Sequence, residues 1–289
     1  MPLVNGFLLL DMIKRRKLCA GAFNTTNIES TVGILRAIEE SGVPTFVQVA
    51  PTNMKMADSA FFVEMVGRYA KNMDTPVALH LDHAKDLGSL KAAARSGFTS
   101  VMIDGAAFDF EENIEFTKAA VDFCAAYQIP VEAELGAIEG KEDDHVSHSN
   151  ATTDPNQVAE FVERTGCHTL AISVGNVHGL EATPKLDFEL LETISQNSPV
   201  PLVIHGGSGI PAADIRRIVD RNVVKLNIAG DLRRAYIRSV GEAYAANNNE
   251  HNLIRVLEEA ADSVYQVVRE KIQVLSSTAT GVEASSKDE

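Results

Sequence analysis

The chain has 289 residues and a formal net charge of −14, with 40 acidic against 26 basic side chains. This charge disfavours binding to nucleic acid or to an anionic membrane, and no stretch approaches the roughly 20 apolar residues of a membrane helix. Cys19, Cys124 and Cys167 are widely spaced, which argues against a disulfide framework and favours a reducing, cytoplasmic location.

Eight short apolar runs predict β-strands. Most are almost continuously apolar rather than alternating, which is typical of parallel strands covered by helices on their outer face. In chain order, the predicted strands are Leu18–Asn24, Thr45–Ala50, Pro76–Asp82, Ser100–Gly105, Pro130–Gly136, Thr169–Gly175, Pro201–Gly206 and Val223–Ile228.

Segments with helical spacing follow each strand. They are Asn27–Ser41, Asp58–Asn72, Leu87–Ser96, Glu111–Tyr127, Asn156–Thr165, Asp187–Gln196, Ala212–Arg221 and Leu232–Ala246. Eight strand–helix alternations without a long linker predict an α/β fold, a closed (β/α)8 TIM barrel, with an open doubly wound sheet as the alternative. The barrel domain is expected over residues 1–275, with His251–Val274 as an additional C-terminal helix, and residues 276–289 are expected to form a disordered acidic tail.

Three of the predicted strands are followed by a histidine at or near the carboxyl end. This end of the strands carries the catalytic residues of such barrels. Three neutral imidazoles with one open position form a typical catalytic zinc site, so His83, His178 and His205 are predicted to bind one Zn²⁺. The alternative is that they are unrelated polar residues at loop starts.

Carboxylates end three strands beside these histidines. Asp82 is a candidate proton carrier or a support for a ligand. Asp104 and Glu134 are candidates for holding a second cation, and the alternative is that they balance the metal charge or cap helices. His80 is expected to be a packed or helix-facing histidine.

Glycine-rich loops follow the last two strands and lead into helices. Loops in these positions commonly bind phosphate, because backbone N–H groups approach an anion closely where side chains are absent. The candidate segments are Gly206-Gly-Ser-Gly209 and Asn227-Ile-Ala-Gly230. The polar segment Ala137–Thr153 is a candidate lid, in which Glu139, Glu142, Asp143 or Asp144 could reach the site, or else a solvated run of charges.

As an ordered set, several motifs resemble the class II, zinc-dependent ketose-bisphosphate aldolases, with the shorter tagatose-bisphosphate and bacterial fructose-bisphosphate aldolases most similar. The motifs are His80-Leu-Asp-His83, Val101-Met-Ile-Asp-Gly105, Val131-Glu-Ala-Glu-Leu-Gly136, Glu142-Asp-Asp144, Val177-His-Gly179, Pro184-Lys-Leu-Asp-Phe188, His205-Gly-Gly-Ser-Gly209 and Lys225-Leu-Asn227. The resemblance implies reversible aldol cleavage of a ketose 1-phosphate or 1,6-bisphosphate to dihydroxyacetone phosphate and an aldehyde. Zn²⁺ would stabilise the enediolate as a Lewis acid.

The same resemblance implies individual roles. His83, His178 and His205 would hold zinc, and Asp104 and Glu134 match an alternative or second metal position, for another divalent or a monovalent cation. Asp82 matches the proton donor to the aldehyde oxygen, and Glu142 matches the lid residue that moves the C3 proton. The substrate-binding positions would be Asn24, Gly179, Gly206, Gly207, Ser208, Asn227, Ile228, Ala229 and Gly230. A homodimer or homotetramer is also implied.

Two positions depart from the family pattern. Gly230 replaces a frequent threonine at the phosphate of dihydroxyacetone phosphate, and Ala50 replaces a frequent serine at the phosphate of the aldehyde half. We therefore expect dihydroxyacetone phosphate as one product and an aldehyde other than glyceraldehyde 3-phosphate. A metal-dependent hydrolase or isomerase on the same barrel, and a non-catalytic partner subunit, are the alternative functions.

Overall fold

The computed structural model describes residues 2–142, 145–147, 151–180, 183–219 and 221–276, without the side chains of residues 141, 142 and 145–147. Apart from Ser276, the predicted tail lies outside the described residues. Within the described ranges, no helix is both long and apolar enough to span a membrane.

Eight parallel strands close into a barrel, as predicted. They are β1 (Ala20–Asn24), β2 (Thr45–Val49), β3 (Val77–Ala84), β4 (Ser100–Ile103), β5 (Val131–Leu135), β8 (Thr169–Ile172), β10 (Leu202–Ile204) and β11 (Val223–Ile228). The order around the barrel is β1-β11-β10-β8-β5-β4-β3-β2, so each strand pairs with its neighbours in this series. Every strand delivers its carboxyl end to the same rim.

Helices surround this barrel on its outside and across one end. They are α1 (Gly6–Arg16), α2 (Ile28–Ser41), α3 (Ser59–Ala70), α4 (Leu87–Ser96), α5 (Phe110–Ala125), α6 (Val158–Thr165), α7 (Phe188–Asn197), α8 (Ala212–Ile218), α9 (Gly230–Ala246) and α10 (Leu253–Ser276). The main apolar core lies between strands and helices, and smaller apolar clusters fill parts of the barrel interior. Both faces of the strands are therefore buried, which explains the nearly continuous apolar runs. The predicted C-terminal helix is α10, and it packs chiefly against α2 and α9.

The amino-terminal end of the barrel is closed by α1. Leu9 and Ile13 of this helix are fully buried against Phe46 and Ala78 from the barrel interior. Gly6 permits this contact, because a Cβ at that position would lie 2.8 Å from the carbonyl oxygen of Thr99. An apolar plug therefore fills this end, and the polar strand ends lie at the opposite rim.

A second, three-stranded sheet lies over that rim. It consists of β6 (Glu139–Glu142), β7 (His145–Ser147) and β9 (Val177–His178), in the order β7-β6-β9. The first two strands form a hairpin inside the segment predicted as a polar lid. These strands lack the apolar runs on which the strand prediction depended, because they do not line the core.

His168 immediately precedes β8, and burial there lowers its pKa below the ordinary value of 6.5. Its Nδ1 accepts a hydrogen bond from the backbone N–H of Val131 at 3.0 Å. Since the unfolded chain binds the proton more tightly, the contribution of His168 to stability is complete above about pH 6.5 and is lost as the pH falls below that value. We therefore expect a smaller drop in melting temperature between pH 7.5 and 5.5 for His168→Gln than for the parent, measured with EDTA present. An equal drop in both proteins would contradict this expectation.

Candidate active site

The three predicted metal ligands converge at the carboxyl rim. His83 lies near the end of β3, His178 ends the short strand β9, and His205 directly follows β10. Their side-chain nitrogens lie within 4.8 Å of one another, and His205 Nδ1 is 2.7 Å from His83 Nε2. Imidazoles so arranged suit a divalent transition metal such as Zn²⁺, which accepts three histidines and keeps one position open.

An irregularity in β3 brings two consecutive side chains into the site. Leu81 pairs with β4 in register, but the register then shifts, and pairing resumes only at Ala84. In between, His83 adopts a left-handed backbone conformation with φ of 48°. Simple alternation would place Asp82 and His83 on opposite faces, and a β-bulge of this kind re-aims a side chain. The bulge therefore explains how both residues reach the rim.

Asp82 is held as a carboxylate by amide groups from three other strands. Asn24 Nδ2 donates to Oδ2 at 2.8 Å, Gln48 Nε2 donates to the same oxygen at 3.2 Å, and Asn227 Nδ2 donates to Oδ1 at 3.0 Å. Burial opposes ionisation of Asp82, but the nearby histidines, Lys225 and the Asn24 amide outweigh it and hold the pKa of the carboxyl below its ordinary value. The resting residue can thus accept a proton.

A second set of possible metal ligands shares His83. Its Nδ1 lies 3.1 Å from Asp104 Oδ2 and 3.8 Å from Glu134 Oε2, and the three residues have ligand atoms within 4.8 Å of one another. Burial and the charge of Asp104 raise the pKa of Glu134 well above its usual value. Within the described part of the chain, Glu134 Oε2 has no hydrogen-bond partner. A buried oxygen of this kind fits a cation site.

The glycine loop after β10 forms a tight turn beside His205. Gly206 has φ of 71°, and a Cβ there would lie 2.1 Å from the Val177 carbonyl oxygen, so no other residue fits. A 3₁₀ turn spans Gly207–Gly209, and the Ser208 hydroxyl accepts from the N–H of Asp231 in the first turn of α9 at 3.2 Å. The loop therefore lies at the N-terminus of a 17-residue helix, a favourable place for an anion.

Lys271 of α10 stabilises this turn by binding its carbonyl oxygens. Its ammonium lies 3.4 Å and 3.3 Å from the carbonyl oxygens of Gly207 and Ser208, and 2.8 Å from Asp231 Oδ2. Three oxygen acceptors satisfy the three donors of a lysine. The C-terminal helix thus contributes directly to the conformation of the glycine loop, which the sequence pattern did not indicate.

The remaining predicted substrate positions are distributed around this loop. Gly179 follows His178 with φ of 88°, and Asn227 is buried inside the barrel beside Asp82. Ile228 faces the outer core, where its side chain is fully buried, so only its backbone is available to a ligand. Ala229 and Gly230 lead into α9.

The hairpin β6–β7 is connected to the metal site through the backbone. Gly140 of β6 pairs with His178 of β9 in parallel register. Glu142 ends β6, and its side chain, like residues Asp143 and Asp144, lies outside the described residues. A displacement of this strand will therefore also move His178, one of the predicted metal ligands.

We expect Gly140→Ala to weaken binding of a divalent cation about tenfold or more. The glycine has φ of 122°, and an added Cβ would lie 2.2 Å from the carbonyl oxygen of His178. The matched control is Gly42→Ala, where φ is 63° but a Cβ meets nothing within 4 Å. Zinc affinity can be measured by competition with a chromophoric chelator. Equal affinities in the two variants would contradict the steric argument.

Three further polar residues lie inside the barrel below the site. His80 is packed, which was the first of its two predicted alternatives, and it faces the barrel interior, where its Nε2 lies 3.4 Å from Lys225 Nζ. Lys225 also contacts Glu132 at 3.0 Å. The sequence could have indicated this placement, because residues two apart on a strand face the same side. His80 is two residues before Asp82, and Glu132 is two residues before Glu134.

Comparisons with known proteins agree with this geometry. The family model for class II fructose-bisphosphate aldolase matches residues 5–280. The chain belongs to the class II fructose-bisphosphate aldolase family. This membership makes it a carbon–carbon lyase of the aldolase type, in a family that is generally metal-dependent.

Solved structures share the whole fold. The YdjI aldolase from Escherichia coli K12 is 34% identical, with a TM-score of 0.82 over 94% of this chain and 97% of that chain. A candidate fructose-1,6-bisphosphate aldolase from Coccidioides immitis is 29% identical, with a TM-score of 0.84 over 95% and 97%. The fructose-bisphosphate aldolase Fba from Campylobacter jejuni, at 23% identity, has a TM-score of 0.81 over 94% and 95%, and shares the fold.

Proposed function

We propose that this aldolase reversibly cleaves a ketose 1-phosphate to dihydroxyacetone phosphate and an aldehyde, using Zn²⁺ held by His83, His178 and His205. The observation that carries the proposal is the convergence of these imidazoles beside a buried carboxylate and a glycine-rich loop. When bound, Zn²⁺ polarises the substrate carbonyl as a Lewis acid. Since that activation needs no Schiff base, Lys225, which is 1% exposed beneath the site, is not required as a nucleophile.

The protein's own residues supply binding and proton transfer. The glycine loop and the start of α9 bind the phosphate through backbone N–H groups. In the cleavage direction Asp82 accepts the proton of the C4 hydroxyl, and it returns the proton to the aldehyde oxygen during synthesis. Glu142 moves the C3 proton of dihydroxyacetone phosphate when the hairpin closes. The second set, formed by His83 with Asp104 and Glu134, holds a further cation or an alternative position of the same one.

The aldehyde half of the substrate is expected to lack a phosphate. Ala50 is buried at the end of β2 and has no hydroxyl to offer that group. The proposal is tested by steady-state cleavage of fructose and tagatose 1,6-bisphosphates against a panel of ketose 1-phosphates, with triose phosphate detection. Cleavage should stop with EDTA and return with Zn²⁺, and a ketose 1-phosphate should be preferred. A clear preference for a bisphosphate would refute the substrate assignment.

The same assay separates the alternative functions. A hydrolase would release inorganic phosphate without triose phosphate, and an isomerase would convert the sugar without breaking a carbon–carbon bond. An inactive, metal-free chain that copurifies with another protein would indicate a partner subunit.

Gly230→Thr is expected to strengthen phosphate binding. A Cβ at this position would lie 3.2 Å from the Leu180 side chain and 3.5 Å from Ser208 Oγ, so a modest shift of a flexible leucine makes room. The added hydroxyl contributes about 1 kcal/mol, or roughly fivefold, if it donates to the phosphate. The inhibition constant of inorganic phosphate measures this effect, and Gly230→Ala is the control without a hydroxyl. Equal constants for the two variants would contradict the prediction.

A cytoplasmic homodimer or homotetramer is part of the proposal. All three cysteines are buried free thiols, which suits a reducing compartment. Large apolar side chains are exposed on α9 and at the start of α10, which suits an interface between subunits. They are Ile237, Tyr244, Leu253 and Ile254. Light scattering coupled to size-exclusion chromatography determines the oligomeric state, and a monomer would refute this part.

A further inference from the structure

A row of buried polar side chains crosses the barrel directly beneath the three histidines. Ser100 Oγ lies 2.7 Å from His80 Nδ1, and His80 Nε2 lies 3.4 Å from Lys225 Nζ. Lys225 Nζ donates to Glu132 at 3.0 and 3.1 Å. The row ends at His205, whose Nε2 lies 2.9 Å from Glu132 Oε1.

Charged side chains are not needed to fill the barrel interior. The barrel interior also contains an apolar layer, formed by Met102, Ala171 and Val203, so apolar side chains fit this space. A buried ion pair is often no more stabilising than apolar residues of the same volume, because both charges lose their hydration. The ion pair formed by Glu132 and Lys225 is therefore better explained by a functional role in the adjacent site than by a gain in stability.

Hydrogen-bonding chemistry determines the direction of each contact. A carboxylate only accepts hydrogen bonds, so the Nε2 of His205 must carry the hydrogen and donate it to Glu132. Asn227 Nδ2 lies 3.2 Å from the same nitrogen, but both nitrogens are donors when Nε2 carries the hydrogen, so this approach is a contact and not a hydrogen bond, and the amide donates to Asp82 at 3.0 Å. In this tautomer His205 presents the lone pair of Nδ1, the atom that lies 2.7 Å from His83 Nε2.

The ammonium of Lys225 orients the carboxylate. Lysine has three donors and no acceptor, so it donates to both oxygens of Glu132 and to His80 Nε2. His80 must then donate from Nδ1 to Ser100. Each of the four contacts then pairs one donor with one acceptor. Glu132 is held by Lys225 on both of its oxygens, so its carboxylate stays oriented toward His205.

We infer that Glu132 is a positioning residue that fixes the tautomer of His205 for metal binding, and that Lys225 anchors Glu132 in the orientation this task requires. The inference rests on the proposed metal-dependent function, because it assigns His205 Nδ1 as the ligand atom. Carboxylates that accept the second N–H of a metal-bound histidine set both ring orientation and basicity, and their loss typically weakens metal binding about 10- to 100-fold.

The first test determines the tautomer of His205 in the metal-free protein and does not depend on enzymatic activity. Long-range ¹H–¹⁵N correlation spectra of the EDTA-treated, histidine-labelled protein should show His205 with hydrogen on Nε2, assigned by comparison with His205→Asn. In Glu132→Gln, the amide oxygen is expected to turn to Lys225 and the amide nitrogen to face His205. The hydrogen of His205 should then move to Nδ1. Hydrogen on Nδ1 in the parent, or an unchanged tautomer in Glu132→Gln, would overturn the inference.

The second test measures Zn²⁺ affinity by chelator competition. Glu132→Gln should bind zinc about 10- to 100-fold more weakly, whereas Thr193→Ala, an exposed position on α7 outside the row, should bind like the parent. If Glu132→Gln does not fold because Lys225 lacks a partner, Glu132→Gln combined with Lys225→Met removes the ammonium. His205 is then expected to populate both tautomers, and a single Nε2–H form there would also overturn the inference.

The two tests distinguish an error in the role of Glu132 from an error in the proposed reaction. A chain with the expected tautomer and zinc affinity but without aldol cleavage would refute the proposed reaction alone. A chain that cleaves its substrate but shows no response of the tautomer to Glu132→Gln would refute the role of Glu132 alone.

Discussion

Replacing His178 by alanine is expected to abolish stoichiometric zinc binding and to lower kcat/KM at least about 1,000-fold. Two imidazoles remain, and catalytic zinc sites generally need three protein ligands. Loss of the Lewis acid removes several kcal/mol of transition-state stabilisation, and about 4 kcal/mol corresponds to this factor. Among the proposed ligands, His178 is less disruptive to replace than His205, because His178 is half-buried whereas His205 is fully buried.

The experiment compares metal content by mass spectrometry with the rate of cleavage in parallel samples. His251→Ala is the matched control, since this histidine is exposed and lies outside the site, and it should retain both zinc and activity. A His178→Ala protein that keeps one zinc per chain and more than a tenth of the parent activity would contradict the proposed ligand set.

Asp82→Asn is expected to lower the rate of cleavage about 100- to 10,000-fold, the usual contribution of a positioned acid or base. An asparagine cannot accept the hydroxyl proton, and it places an amide nitrogen among the donors of Asn24, Gln48 and Asn227. The C3 proton of dihydroxyacetone phosphate is assigned to Glu142, so exchange of that proton with solvent should persist in Asp82→Asn. Glu142→Gln should lose both exchange and cleavage.

Proton exchange is followed by NMR in D₂O with dihydroxyacetone phosphate alone, and cleavage by triose phosphate release. Comparing the two rates identifies the step at which each residue acts, independently of how much protein is folded. If Asp82→Asn loses exchange and cleavage to the same extent, the division of proton transfers between the two carboxylates is wrong.

The barrel was predictable because its strands are parallel and covered by helices. Both faces of such strands are buried, which leaves runs such as Thr45–Val49 that differ clearly from the helical segments. The rim sheet offered no such signal, since Glu139–Glu142 is polar and lies outside the core.

The site was predictable where strand position alone decides it. His205 and Asp104 directly follow a strand, and parallel strands bring their ends together. The bulge at His83 was not predictable, because it depends on a local change in pairing with β4 that leaves no mark on the residue pattern. Lys271 was missed for another reason, since it reaches the site from a helix far along the chain.

The contact between Lys271 and the glycine loop has a practical consequence for engineering. A chain that ends within α10 before Lys271 would lose the ammonium that holds the carbonyl oxygens of Gly207 and Ser208. Given the proposed role of this loop in phosphate binding, the shortened enzyme would then require more substrate for half-saturation, although the loop residues themselves had been retained. Truncation and fusion designs should therefore leave the end of this helix intact.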